Sequence, residues 1–266
     1  MLTTDYVSGA PNWVDLGSGD VPASVEFYGA LFGWEFASAG PEAGGYGMFV
    51  RDGRTVAAVG PHQGEGAKPA WTVYFQTADA DATAKSVEEA GGTVRAAPMD
   101  IFDQGRMAHF TDPTGAEFAV WQPGGNKGLD AVTDPWTLCW TESFTPDAAR
   151  SKAFYAGVLG WEYEDMPLPP GAVSDTYTVA SPTGGGSERA HAGLMQLGPD
   201  MLPDGTGYWQ PYFETPDADA TVAEATRRGA AVLMGPVDMP GVGRMAMLTD
   251  PQGAFFAVIT SAEAAA

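Results

Sequence analysis

The sequence predicts an α+β fold built from four copies of one β-α-β-β-β module, two in each half of the chain. Two observations carry this. The segment from Asp100 to Ala116 returns without a gap from Asp238 to Ala254, at an offset of 138 residues. Within each half, a short strand, a capped helix, a glycine stop and a run of short strands occur twice in succession. Other repeated landmarks keep the same order. Phe27-Tyr28 with Gly33-Trp34-Glu35 matches Phe154-Tyr155 with Gly160-Trp161-Glu162, Trp71 and Tyr74-Phe75 match Trp209 and Tyr212-Phe213, and the acidic run starting at Asp79 matches the one at Asp217. Shared order across both halves means two homologous domains, expected at 1–125 and 135–266 with a linker at 126–134.

The elements follow from local chemistry. Asn12–Leu16 reads as a strand, and Asp20 caps a helix from Val21 to Phe32 that Gly33 ends, since an aspartate oxygen accepts the free first-turn N–H groups and glycine tolerates a left-handed stop. Glu35-Phe36, Tyr46–Val50 and Val56–Val59 read as three strands joined by glycine-rich turns. The second module begins with the strand Trp71–Gln76. Asp79 and Asp81 precede a helix from Ala82 to Ala90, Gly91-Gly92 stops it, and strands follow near Thr93-Val94, Arg106–Phe110 and Glu117–Trp121. Asp112-Pro-Thr-Gly115 and Asp250-Pro-Gln-Gly253 place proline second and glycine fourth in a tight turn, a structural reading in which Arg106 and Arg244 pair with the turn aspartates. Gly124–Gly128 and the stretch to Pro135 read as the linker. The segment from Asp165 to Arg189, longer than its counterpart near Ala37–Gly45, reads either as a lid or as a surface loop.

Composition bounds the function. At 266 residues and 44% apolar content, the chain can bury two ordinary cores. A net charge of −21, from 34 acidic against 13 basic residues, leaves no basic patch for nucleic acid or an anionic membrane and favours a cationic or neutral ligand. No apolar run is long enough for a membrane span and Met1–Tyr6 does not open a signal peptide, so a cytoplasmic location is expected. The single cysteine, Cys139, excludes an internal disulfide and reads as a small buried strand residue.

A Phe-Tyr near the end of the first helix, then Gly-Trp, a second capped helix, Gly-Arg-Met and Thr-Asp-Pro-x-Gly before a last strand together resemble the vicinal oxygen chelate superfamily. That group includes glyoxalase I, extradiol dioxygenases, and fosfomycin and bleomycin resistance proteins. The resemblance covers both halves and is nearest to tandem two-domain members of actinobacteria. It implies two glyoxalase-like domains, in each of which paired modules form a curled, half-open mixed sheet around a ligand-holding cup.

In metal-dependent members, as the resemblance implies, ligands stand seven residues before each helix-capping acid and four after the glycine of the Asp-Pro-x-Gly turn. These positions are Trp13, Thr72 and Ala119 in the first half, and Trp140, Gln210 and Ala257 in the second. Only Gln210 carries a donor of any use, whereas a catalytic metal needs about three imidazole or carboxylate ligands. Asp15 and Glu142, two residues beyond the tryptophans, face the same way on a strand, but no histidine joins them: His62 and His191 read as loop or strand-end residues, and His109 has Met247 as its twin. No metal and no cofactor are therefore expected.

Period-2 alternation puts Trp13, Asp15, Tyr74, His109 and Trp121 on one inward face, and Trp140, Glu142, Gln210, Tyr212 and Met247 (with Ile259) on the other. This reads as a pocket for a flat organic molecule, and equally as packed aromatic core in either half, with Thr72, Ala119 and Ala257 leaving room. Buried acids at Asp15 and Glu142 need a partner. They could meet a ligand amine, act as a general base, or pair with an arginine or a backbone N–H. The expected function is metal-free binding of an aromatic or polycyclic natural product, an antibiotic such as an anthracycline, for self-resistance or in support of its biosynthetic oxygenase, as bleomycin resistance proteins bind their drug. The alternative is a glyoxalase-like lyase, dioxygenase or hydroxylase using Asp15, Glu142 or His109. An oxygenase partner and a homodimer are both compatible with the sequence; no Gly-rich phosphate loop, nucleophile elbow or His-Glu-x-x-His is present.

Overall fold

The computed structural model describes residues 2–62 and 68–262. The first module runs β1 (Pro11–Ser18), α1 (Val21–Phe32), β2 (Glu35–Ser38), β3 (Gly47–Arg51) and β4 (Arg54–Pro61). The second runs β5 (Ala70–Gln76), α2 (Ala80–Glu89), β6 (Thr93–Ile101), β7 (Gly105–Thr111) and β8 (Glu117–Pro123). The second half repeats the plan: β9 (Leu138–Thr145), α3 (Ala148–Leu159), β10 (Trp161–Pro167), β11 (Thr176–Pro182) and β12 (Ala192–Gln196), then β13 (Tyr208–Glu214), α4 (Ala218–Arg227), β14 (Ala231–Met239), β15 (Gly243–Thr249) and β16 (Phe255–Ser261). Each half forms one eight-stranded sheet, in the order β2-β3-β4-β1-β5-β8-β7-β6 and β10-β11-β12-β9-β13-β16-β15-β14. The α+β architecture of four modules follows the sequence reading.

All four helices start at the aspartate that the sequence offers. Asp20, Asp79, Asp147 and Asp217 each accept from the N–H three residues on, and Gly33 and Gly160 end α1 and α3 at φ of 70° and 69°. Helix α2 begins at Ala80, two residues before the expected start, because the Asp79 cap brings Ala80 and Asp81 into its first turn. One further expectation needs correction. The segment from Asp165 to Arg189 is mostly a β-hairpin, since β10 and β11 form a seven-pair antiparallel ladder and only 168–175 is its tip. The connection after β8 packs onto the fold: Leu129 and Ala131 are buried, and Asp130 bonds to the Thr55 backbone through both its amide and its carboxylate.

The chain gathers into two compact units. One contains 1–13, 72–128 and 140–210, chiefly the two middle modules; the other contains 14–71, 129–139 and 211–266, chiefly the two outer ones. In the first unit the core is built from Val73, Phe75, Phe110, Phe118, Tyr155, Trp161 and Trp209 with their neighbours. At its centre the Trp209 indole donates to the Tyr155 hydroxyl at 2.8 Å, which donates to Asp112 Oδ2 at 2.9 Å, while Asp112 Oδ1 accepts the Thr114 and Ala116 amides. The second unit repeats the arrangement, with Trp71 donating to Tyr28 at 3.0 Å and Tyr28 to Asp250 at 3.1 Å. The repeated Phe-Tyr and Asp-Pro-x-Gly motifs thus clasp one module to another that is distant in sequence. A buried carboxylate is tolerable because every bond it accepts is charge-assisted.

The turn aspartates being taken by tyrosines, the arginines are elsewhere. Arg106 pairs with Asp81 and Asp100, and Arg244 with Asp219 and Asp238. The turns themselves are as expected, with Gly115 N–H donating to the Asp112 carbonyl and Gly253 N–H to that of Asp250.

Candidate functional site

Each strand offers one face to the helices and one away from them. On β13, Trp209 takes the helix side, and Tyr208, Gln210 and Tyr212 the other; on β5, β7 and β8 the far side carries Tyr74, His109, Met107, Ala119 and Trp121, as alternation requires.

In the first unit, register aligns Tyr74, Ala119 and His109 across β5, β8 and β7. Tyr74 Oη and His109 Nε2 lie 3.3 Å apart, their rings edge to face at 5.4 Å. Burial, with a smaller contribution from Arg95, pushes the His109 imidazole down to about 4 and keeps it neutral. Ala119 is fully buried in this row, as is Ala257 in its own, whereas Thr72 is half-buried. Trp121 is buried and its N–H donates to the Asn126 carbonyl at 3.0 Å, which gives it an anchoring role. Trp13 and Thr72 belong to the same unit, Trp13 being buried.

The same unit holds a second, differently furnished group. Trp140, Glu142 and Phe144 point to the far side of β9, where Glu142 aligns with Gly193 of β12 and Val179 of β11. The Trp140 indole donates to the Tyr177 hydroxyl at 3.0 Å, and that hydroxyl bonds to the Glu142 carboxylate. Burial first, and Glu142 second, push the Tyr177 phenol well above its ordinary range. A β-carbon at Gly193 would overlap the Tyr177 hydroxyl, so glycine is what lets this relay close. Tyr208 stacks on Phe144 at 5.1 Å. Two residues after Tyr208 on the same side of β13 stands Gln210, fully buried, with neither Oε1 nor Nε2 in a hydrogen bond. An amide buried without partners costs about 1–3 kcal/mol, and native interiors leave few such groups.

In the second unit, Asp15 is buried and accepts from Tyr46 at 3.0 Å, with Asp15 aligned on Ala58 and Met48. Neither the arginine partner nor a free acid is what Asp15 has; a tyrosine holds it. Tyr212 heads an apolar row with Ala257, Met247 and Met234, beside another of Ile259, Met245 and Val237. Cys139 is buried in β9 as expected, its thiol donating to the Tyr212 carbonyl.

Tyr46 and Tyr177 were missed by sequence reasoning. They are twins, 131 residues apart, like Met48 and Val179 that follow them, and each holds the inward acid of its own module. The signal was available in the duplication, because each stands at the start of the third strand of its module, Tyr46 just before β3 and Tyr177 second in β11.

Side chains at the superfamily's metal positions do not fit a metal. Trp13, Thr72 and Ala119, and Trp140, Gln210 and Ala257, supply no imidazole or carboxylate, and among the described residues no three His, Cys, Asp or Glu side chains come together.

The family model for the glyoxalase/bleomycin resistance protein/dioxygenase superfamily matches residues 10–120 and 137–258. The chain belongs to this superfamily. Among its members, the anthracycline biosynthesis protein DauV of Streptomyces sp. (strain C5) is 41% identical over 98% of this chain and 96% of its own length. The putative glyoxylase CFP32 of Mycobacterium tuberculosis is 38% identical over 97% of both. The 2,2',3-trihydroxybiphenyl 1,2-dioxygenase of Sphingomonas wittichii strain RW1 shares the superfamily fold at a TM-score of 0.65 and 15% identity, over 96% of this chain and 91% of the dioxygenase. Among the described residues no helix is long and apolar enough to cross a membrane.

Proposed function

We propose that this superfamily member binds a flat, polycyclic aromatic natural product of the anthracycline type without using a metal, for self-resistance or in support of the oxygenase that makes it. One observation carries the reading: Gln210 occupies a superfamily metal position in the second half, yet keeps both ends of its amide unused, in the unit that also holds Tyr208, Trp140 and the Tyr177–Glu142 pair. A ligand that presents a donor and an acceptor side by side, as a hydroxyquinone does, would satisfy both ends while its rings lie against the aromatic side chains. The identity with an anthracycline biosynthesis protein along nearly the whole chain supports the ligand class.

Tryptophan fluorescence of EDTA-treated protein, titrated with doxorubicin and corrected for inner-filter absorption, tests this. Saturable quenching at micromolar concentration or below is expected. A stoichiometric metal required for binding, or conversion of the ligand, would overturn it.

The pairing of Tyr74 with His109 favours a second reading, an enzyme using His109 as base. Its strength is limited by the imidazole itself. At about 4, its affinity for a proton lies well below the near-neutral value that suits a general base at physiological pH.

A further inference from the structure

The unit that holds Gln210 also has a cleft of about 320 Å³, within the usual range for a small-molecule site. Its position follows from strand register. Tyr177, Met195 and Phe144 form one row across β11, β12 and β9. One step further along the same faces stand Asp175, Leu197 and Pro146, and all three line the cleft, together with Val173 and Pro199. Tyr208, stacked on Phe144, lies two residues from Gln210 on the same side of β13. The cleft therefore continues the candidate site toward solvent.

Its outer wall is the tip of the β10–β11 hairpin. The corresponding strands of the first half, β2 and β3, have four and five residues where β10 and β11 have seven each, so the extension belongs to the half that also carries Gln210. The tip is closed by Leu168 N–H donating to the Asp175 carbonyl and Ser174 Oγ donating to the Thr176 carbonyl. Asp175 is the only ionisable side chain in the lining, it is exposed, and no basic residue joins it.

We infer that this cleft receives a cationic appendage of the aromatic ligand, such as an amino sugar, with Asp175 pairing its ammonium group and Pro146, Leu197 and Pro199 taking its apolar face. The inference rests on the proposed function and adds the chemistry of the ligand's tail. An exposed ion pair is weak and screened by salt, so the contribution is a matter of selectivity rather than of most of the affinity.

The test compares doxorubicin with its N-acetylated derivative on the wild-type protein and on Asp175→Asn, at low salt and at high salt. The amine form is expected to bind the wild type about 3–10-fold more tightly than the acetylated form, with the preference lost in Asp175→Asn and reduced at high salt. Equal binding of both forms by the wild type, or a preference that survives Asp175→Asn, would overturn the inference while leaving the aromatic site intact. Absence of binding by either form would overturn the proposed function and the cleft with it.

Discussion

The two faces of β13 make opposite use of their polar groups. Trp209, on the helix side, delivers its N–H to Tyr155 and through it to Asp112, and no polar atom of that relay lacks a partner. Gln210, the next residue, turns to the other side and has two polar atoms and no partner. Their twins sharpen the contrast. Trp209 corresponds to Trp71, Tyr155 to Tyr28 and Asp112 to Asp250, identical in both halves, whereas Gln210 corresponds to Thr72, Glu142 to Asp15 and Met247 to His109. Duplication kept the helix-side relay whole, while the other face keeps Trp13 and Trp140, Tyr46 and Tyr177, and Tyr74 and Tyr212 but differs at these three positions. The first is a structural device that both units require; the second is where a ligand could be chosen.

The largest effect should come from the shared face. Asp112→Ala leaves the Tyr155 hydroxyl and the Thr114 and Ala116 amides without their acceptor inside the core. It should cost about 3–5 kcal/mol in urea unfolding, with Asp250→Ala similar, since the clasp is the same in both units. A small loss at either site would show that the clasps are not what secures the modules.

An intermediate effect is expected from acid. An unfolded histidine titrates near 6.5, while burial pushes His109 down to about 4 and His191 to about 3. As pH falls below about 6.5, the unfolded chain takes up protons that the folded one refuses, so Tm should fall until both imidazoles are protonated in the folded state too. His109→Met, which copies the twin Met247, should flatten the part of this slope between pH 6.5 and 4. A Tm profile unchanged by that substitution would remove His109 from the account.

The smallest effect belongs to the surface. Arg106→Ala removes pairs with Asp81 and Asp100 that are open to solvent, and the loss should shrink further as salt is raised. A salt-independent loss as large as that of Asp112→Ala would mean that Arg106 supports the clasp after all.

Much of this fold was legible because its signals are local. Asp20, Asp79, Asp147 and Asp217 start helices by bonding three residues ahead, and Gly33 and Gly160 end them in place. The clasps were not legible, since Tyr28 and Asp250 are 222 residues apart and nothing in either motif names its partner. Alternation put Trp13, Asp15, Tyr74, His109, Trp140, Glu142 and Gln210 on inward faces. It could not say which of them were already engaged. Tyr74 with His109 and Tyr46 with Asp15 are bonded within the protein, and Trp121 is tied to Asn126. Only three-dimensional placement shows that the amide of Gln210, like that of Asn12, lacks a partner.

Gln210→Leu therefore tests the account most directly, with urea unfolding and doxorubicin titration carried out on the same preparation. Leucine fills a similar volume and removes two unpartnered polar atoms, so stability should hold or rise by about 1–2 kcal/mol. Binding should weaken at least about tenfold, the equivalent of one lost hydrogen bond in a desolvated site. Unchanged affinity would contradict the assignment of Gln210 to the ligand. A marked loss of stability would show that its amide serves the fold.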